Sequence, residues 1–156
     1  MNTPLVSSDT LTRYVVDASV GIKLFVDEPL SEQAHWLFEK LLMDPPIELF
    51  VPDLFFIECT NILWKYTHRY KRPIKDSLAD LADLGHLALR VTSTADLMED
   101  ALSLAVQTGL TAYDACYAAL ARRLEIPVVT ADEPLCQTID WAVWLGHLDF
   151  HLNKSR

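Results

Sequence analysis

RYVVDA, residues 13–18, carries a short stretch of strand-forming side chains directly into an acid. Tyr14, Val15 and Val16 favour extended backbone. Their unbroken apolar character predicts a strand buried on both faces, as in a parallel sheet covered by helices. The same order of residue types returns in PVVTAD, residues 127–132. Working outward, further short strands are expected at 48–51, 89–92 and 141–145. Helical periodicity or capping marks 30–43, 53–68, 74–88, 95–108, 111–124 and 132–139. Asp53 is placed as an N-cap, and Gly109 as the C-terminal stop of the helix before it. Alternating strands and helices predict an α/β fold, a three-layer α/β/α sandwich around a parallel sheet. Such folds bind ligands at the carboxyl ends of the strands, where the strand order reverses. Asp17 and Asp132 end the first and fourth strands and therefore project from that edge.

The chain has 156 residues, 51% of them apolar, which suits one domain with a sizeable core. The folded domain is expected over 13–146, with an N-terminal extension at 1–12 and a tail at 147–156. No apolar run approaches the ~18 residues of a membrane span, and the polar start of the chain is no secretory signal. Together these features favour the cytoplasm and no membrane partner. Cys59, Cys116 and Cys136 are odd in number and match no zinc spacing, so they read as reduced thiols in or near the core. The net charge of -9 argues against a general nucleic-acid binder. It does not exclude an enzyme that collects acids to hold a metal. One basic segment stands out, with Lys65, Arg69, Lys71, Arg72 and Lys75 and no acid between Glu58 and Asp76.

The acids carry the chemistry. Asp17 and Asp132 each have a bland reading, as caps of helices that follow strands. Glu58 is harder to dismiss, because it stands in LFFIEC, residues 54–59, inside an apolar helix where an unpaired carboxylate is costly. The alternative for Glu58 is a structural contact with Asn61 or Lys65 on the same helical stripe. Asp114 follows Thr111 by three residues, which reads equally as a capping box or as a site residue. Four carboxylates in one cleft would repel one another, and a divalent cation relieves that repulsion. Oxygen-only donors suit Mg2+ or Mn2+ rather than zinc. Mg2+ usually meets its substrate through phosphate, which points to phosphodiester chemistry.

VVDASV around Asp17, FFIECTNIL around Glu58, TAYDACYAALA around Asp114 and VVTADEPL around Asp132 resemble, in order and spacing, the successive acidic motifs of PIN-domain nucleases. The similarity is to the small bacterial and archaeal type, the VapC-like toxins of toxin–antitoxin pairs. This resemblance implies a PIN-like nuclease domain over 13–146, a five-stranded parallel sheet, Mg2+-dependent endonucleolytic cleavage of RNA, homodimers, and inhibition by a small antitoxin. It also assigns Asp114 to the site, with Asp17, Glu58, Asp114 and Asp132 as catalytic metal ligands. Ser19 and Thr130 match polar positions of the same motifs. With Asn61, they are candidates to assist the metal shell.

Lys65, Arg69, Lys71 and Arg72, interleaved with Tyr66 and Tyr70, are candidate RNA contacts. Their alternative is a solvated helix end. His147, Asp149 and His151 form an H-x-D-x-H in the tail, set aside as a metal site because it is terminal. Trp36, Trp64, Trp141 and Trp144 read as core residues. A phosphate-binding P-loop is absent. A haloacid-dehalogenase-like phosphatase would want an acid where Ser19 stands. Two further alternatives are a PIN nuclease with a housekeeping role and a non-catalytic binding module whose acids only cap helices.

Overall fold

The computed structural model describes residues 12–148. The strands are β1 (Arg13–Val16), β2 (Glu48–Pro52), β3 (Leu89–Thr92), β4 (Val128–Thr130) and β5 (Ala142–Trp144). All pair in parallel, in the order β3-β2-β1-β4-β5. The chain builds outward from β1 in one direction and then in the other, so the switch point lies between β1 and β4. Asp17 follows the last residue of β1, and Asp132 stands two residues beyond β4. Tyr14, Val15, Val16, Val128, Val129 and Thr130 are all buried. Two central strands buried this completely require cover on both faces, as the predicted sandwich demands.

The helices are α1 (Ala18–Gly21), α2 (Ser31–Glu39), α3 (Leu54–Arg69), α4 (Ile74–Gly85), α5 (Met98–Thr108), α6 (Ala112–Leu124) and α7 (Glu133–Thr138). Helix α6 packs on β1, β2 and β4, while α1 packs on α3 and β4. The buried run Ala115–Ala121 explains the approach of α6, since small side chains bring its axis close to the sheet. The contact of α1 with α3 is tighter still. A Cβ on Gly21 would stand 2.5 Å from the Phe55 ring, so only glycine fits there. None of the described helices is long and apolar enough to cross a membrane.

Several local expectations change. Asp53 occupies the N-cap position of α3 without bonding to that helix. Its Oδ1 accepts from Thr94 N at 2.8 Å, and Thr94 Oγ1 accepts from Leu54 N at 3.0 Å. The cap comes from a residue 40 positions away, which joins α3 to the turn after β3. Trp64 is not a core residue, since it is 57% exposed and stacks on His68. Trp36 and Trp141 do pack against the core. The far half of α3 is fixed by the buried Lys23, whose Nζ bonds Glu28 at 2.9 Å, while Tyr66 Oη donates to the other Glu28 oxygen at 2.7 Å. Asp149 and His151 of the tail motif, and the extension before Thr12, lie outside the described residues.

Candidate active site

Asp17 is the anchor. It is 4% exposed, yet its carboxylate accepts three hydrogen bonds. Oδ1 takes the Ser19 amide at 2.9 Å and the Ser19 hydroxyl, and Oδ2 takes the Thr130 hydroxyl at 2.6 Å. Both hydroxyls also accept, Ser19 Oγ from Ala131 N and Thr130 Oγ1 from Asp132 N, each at 2.9 Å. Two short relays therefore fasten the exit of β1 to the exit of β4. Ser19 and Thr130 thus both hold Asp17 by hydrogen bonds. Burial pushes the Asp17 carboxyl from 3.8 up to about 6; the Ser19 and Thr130 bonds pull it down, and the charge of Asp114 adds to the rise.

Glu58 comes from the second turn of α3. Its Oε1 accepts from Tyr117 Oη at 2.8 Å. Among the described residues, the alternative hydrogen bond or ion pair of Glu58 with Asn61 or Lys65 is not formed. Tyr117 is the residue that the sequence reading missed. It lies three positions after Asp114 on α6, hence on the same helical face, and that spacing was the available signal. Burial raises Glu58, the Tyr117 bond lowers it, and Asp114 raises it again. Burial also raises Asp114, with Asp132 adding and the Thr111 hydroxyl opposing. Thr111 does cap α6, accepting from Asp114 N at 3.2 Å. Asp132 sits at the N-cap of α7 but makes no capping bond, so the bland reading fails for it. For Asp17 it holds in part, since the Ser19 amide belongs to α1.

Asp114 is the electrostatic hub. It acts on Asp17 and Glu58, and Asp132 acts on it. Among the described residues, no three His, Cys, Asp or Glu side chains are gathered closely enough to grip one ion directly. The donor set is nonetheless all oxygen and repels itself. A divalent cation that keeps several of its waters fits this spread better than one held by protein alone. Among the described residues Asn61 makes no hydrogen bond to a carboxylate; it lines a cleft of about 400 Å3 with Leu54, Ile57, Glu58 and Tyr113. Of the candidate RNA contacts, Lys65, Arg69 and Lys71 are exposed, and Lys71 Nζ bonds only the carbonyl of His68. Arg72 is instead engaged with Asp80 in a half-buried ion pair. Cys59 and Cys116 are buried free thiols, pushed up by burial and then by the Glu58 charge.

A family model described as the PIN domain matches residues 14–139. Ribonuclease VapC3 of Pyrobaculum aerophilum is 35% identical over 127 residues, covering 80% of this chain and 93% of that protein. The crystal structure of PAE2754, also from Pyrobaculum aerophilum, matches with a TM-score of 0.70 at 25% identity, over 92% of this chain and 98% of that one. A toxin–antitoxin complex from Klebsiella pneumoniae shares the fold, with a TM-score of 0.55 at 17% identity over 83% and 95% of the two chains. The five-stranded parallel sheet thus has its counterpart in known proteins, and the chain belongs to the PIN-domain family, with VapC-like ribonucleases as its kin.

Proposed function

We propose that this chain is a divalent-metal-dependent endoribonuclease, using Mg2+ or Mn2+, and the toxin of a toxin–antitoxin pair. The observation that carries the reading is the Asp17 carboxylate, buried at the switch point, tied down by three donors and facing the charge of Asp114. Such an arrangement is costly in an empty protein and is relieved by a cation. Asp17, Glu58, Asp114 and Asp132 would hold that cation, partly through water. Once bound, it supplies Lewis acidity toward the phosphate oxygens and toward water.

The remaining work belongs to the chain. Ser19 and Thr130 hold Asp17 in one orientation, and Tyr117 does the same for Glu58. Asp132 keeps its carboxylate clear of capping and available to the site. No side chain serves as a covalent nucleophile, because the thiols nearest the acids are kept protonated. The membership of the chain among VapC-like proteins supports RNA as substrate and a small antitoxin as partner. An acidic cleft suits an inhibitor that inserts an Arg or Lys where the cation would sit. The reading further includes a homodimer working in the cytoplasm.

Incubating the purified chain with total RNA tests the chemistry. Cleavage should require Mg2+ or Mn2+, stop in EDTA and vanish in Asp114→Asn. Full cleavage in EDTA would rule the mechanism out. Expressing the chain alone should slow growth, and co-expressing a small neighbouring reading frame should restore it. Harmless expression of a protein that still cuts RNA would make it a housekeeping nuclease.

A further inference from the structure

We infer that the cleft beside the carboxylates seats one unpaired nucleobase of the substrate, stacked on Tyr113 and read along its edge by Asn61. This assignment rests on the ribonuclease reading above. The cleft opens between the first turns of α3 and the start of α6 and has a volume of about 400 Å3. That is ample for a flat heterocycle and small for a folded partner.

Its lining is mixed in a particular way. Tyr113 and Ile57 are each 63% exposed, so an aromatic face and an aliphatic edge stand in water on its walls. The Asn61 amide has no hydrogen-bond partner among the described residues, and it offers a donor and an acceptor side by side. An unpaired base presents the matching features, a π-face on one side and adjacent donors and acceptors on its edge. Glu58 forms part of the lining and argues against a phosphate or other anion in the cleft itself.

Position relative to the acids supports the same occupant. Glu58 belongs both to the cleft and to the proposed metal set, and Tyr113 immediately precedes Asp114. A base held here therefore carries its own sugar and phosphate past the acidic hub. The surface continues away from the site. Ile57, Asn61, Trp64 and His68 share one stripe of α3. The exposed Trp64 ring stacks on His68 at 5.3 Å with 5° between the planes. Lys65 and Arg69 flank that stack on the same helix. Two other cavities among the described residues lack this combination. The groove between α3 and α4, lined by Leu63, Trp64, Ile74 and Leu78 among others, offers an almost wholly apolar wall. The cavity of about 650 Å3 near Trp141 lies at the opposite end of the sheet, beside the start of β4 and β5.

The test uses full-length protein, a randomised single-stranded RNA and two readouts. Cleavage ends are mapped in Mg2+, and binding is measured by fluorescence anisotropy in EDTA, where no cutting occurs. Tyr113→Ala should weaken binding roughly ten-fold or more, with Tyr113→Phe restoring it. Asn61→Ala should relax the base preference at one position next to the cut, with cutting still dependent on metal. If the wild-type chain cuts RNA, while Tyr113→Ala binds normally and Asn61→Ala keeps the same cleavage-site preference, the base seat is refuted and the nuclease stands. If the wild-type chain binds RNA through Tyr113 without ever cutting it, the seat stands and the nuclease reading falls. If Tyr113→Ala leaves RNA binding intact but weakens capture of the co-expressed antitoxin, the cleft is a protein-docking site and the proposal is overturned.

Discussion

Replacing Asp17 by Asn should make the metal-free protein more stable while abolishing its activity. The folded chain shifts the Asp17 carboxyl from 3.8 to about 6, with burial as the main cause. The folded state therefore binds this proton more tightly than the unfolded chain does. For this group, stability is greatest at acid pH, declines as pH rises from about 3.8 to about 6, and stays low above that. Each pH unit between the two values is worth about 1.4 kcal/mol, so the ionised Asp17 costs the fold about 3 kcal/mol near neutral pH. Asn carries no charge and recovers most of that. It still accepts from Ser19, but its amide nitrogen faces the Thr130 hydroxyl, which already accepts from Asp132 N and needs a new acceptor. Losing that bond costs about 1 kcal/mol. The net gain is about 2 kcal/mol, or ~4–8 °C in Tm for a chain of this size. The assay is thermal unfolding of both proteins in EDTA across the acid-to-neutral range. The gap should be smallest at acid pH and widen to a plateau above about pH 6. Adding Mg2+ should then raise the wild type alone and narrow the gap. A variant that is less stable than wild type at neutral pH, or a gap independent of pH, would refute this account of Asp17.

Tyr117→Phe removes the donor that orients Glu58; a loss of ~10- to 100-fold in kcat/KM or in Mg2+ affinity is expected, and Mg2+ titration beside cleavage kinetics checks it. Replacing Lys65, Arg69 and Lys71 by Ala should flatten the salt dependence of RNA binding by about one unit of slope for each phosphate no longer neutralised. Arg72→Ala should leave that slope unchanged and instead lower stability by about 1 kcal/mol in thermal unfolding, because its charge is spent on Asp80.

The parts of this fold marked by an unbroken apolar run or a helical period are legible in the sequence. Tyr14, Val15 and Val16, and Val128 and Val129, announced buried parallel strands, and the acids that follow announced the sheet edge where they meet. The helix α1 was not legible, since four residues are too few to show a period. Its packing rests on Gly21 meeting Phe55, a contact between elements. The cap of α3 was assigned to Asp53 on local grounds, but Thr94 supplies it from across the fold. Capping rules see neighbours in the chain, and a partner 40 residues away is invisible to them. Tyr117 and Arg72 follow the same logic. Arg72 reads locally as an RNA contact or a solvated cation and is redefined by Asp80, while Tyr117, unassigned from the sequence, acquires its role through Glu58. Exposure of Trp64 was hidden for a related reason, because its helix is apolar on more than the face it buries.

The bond from Thr130 to Asp17 closes a separation of 113 residues. At ribosomal speeds of ~5–20 residues per second, that interval corresponds to roughly 6–20 seconds of synthesis. During this time β1 exists without its central neighbour β4, and Asp17 lacks the hydroxyl that receives its second oxygen. Asp114 arrives only 16 residues before Thr130, and Asp132 two residues after it. A translation product that stalls between the end of α3 and β4 carries Asp17 and Glu58 but neither Thr130 nor Asp132. Under the proposed function, order of synthesis acts as a safety interval, because the four acids are complete only once β4 has been made.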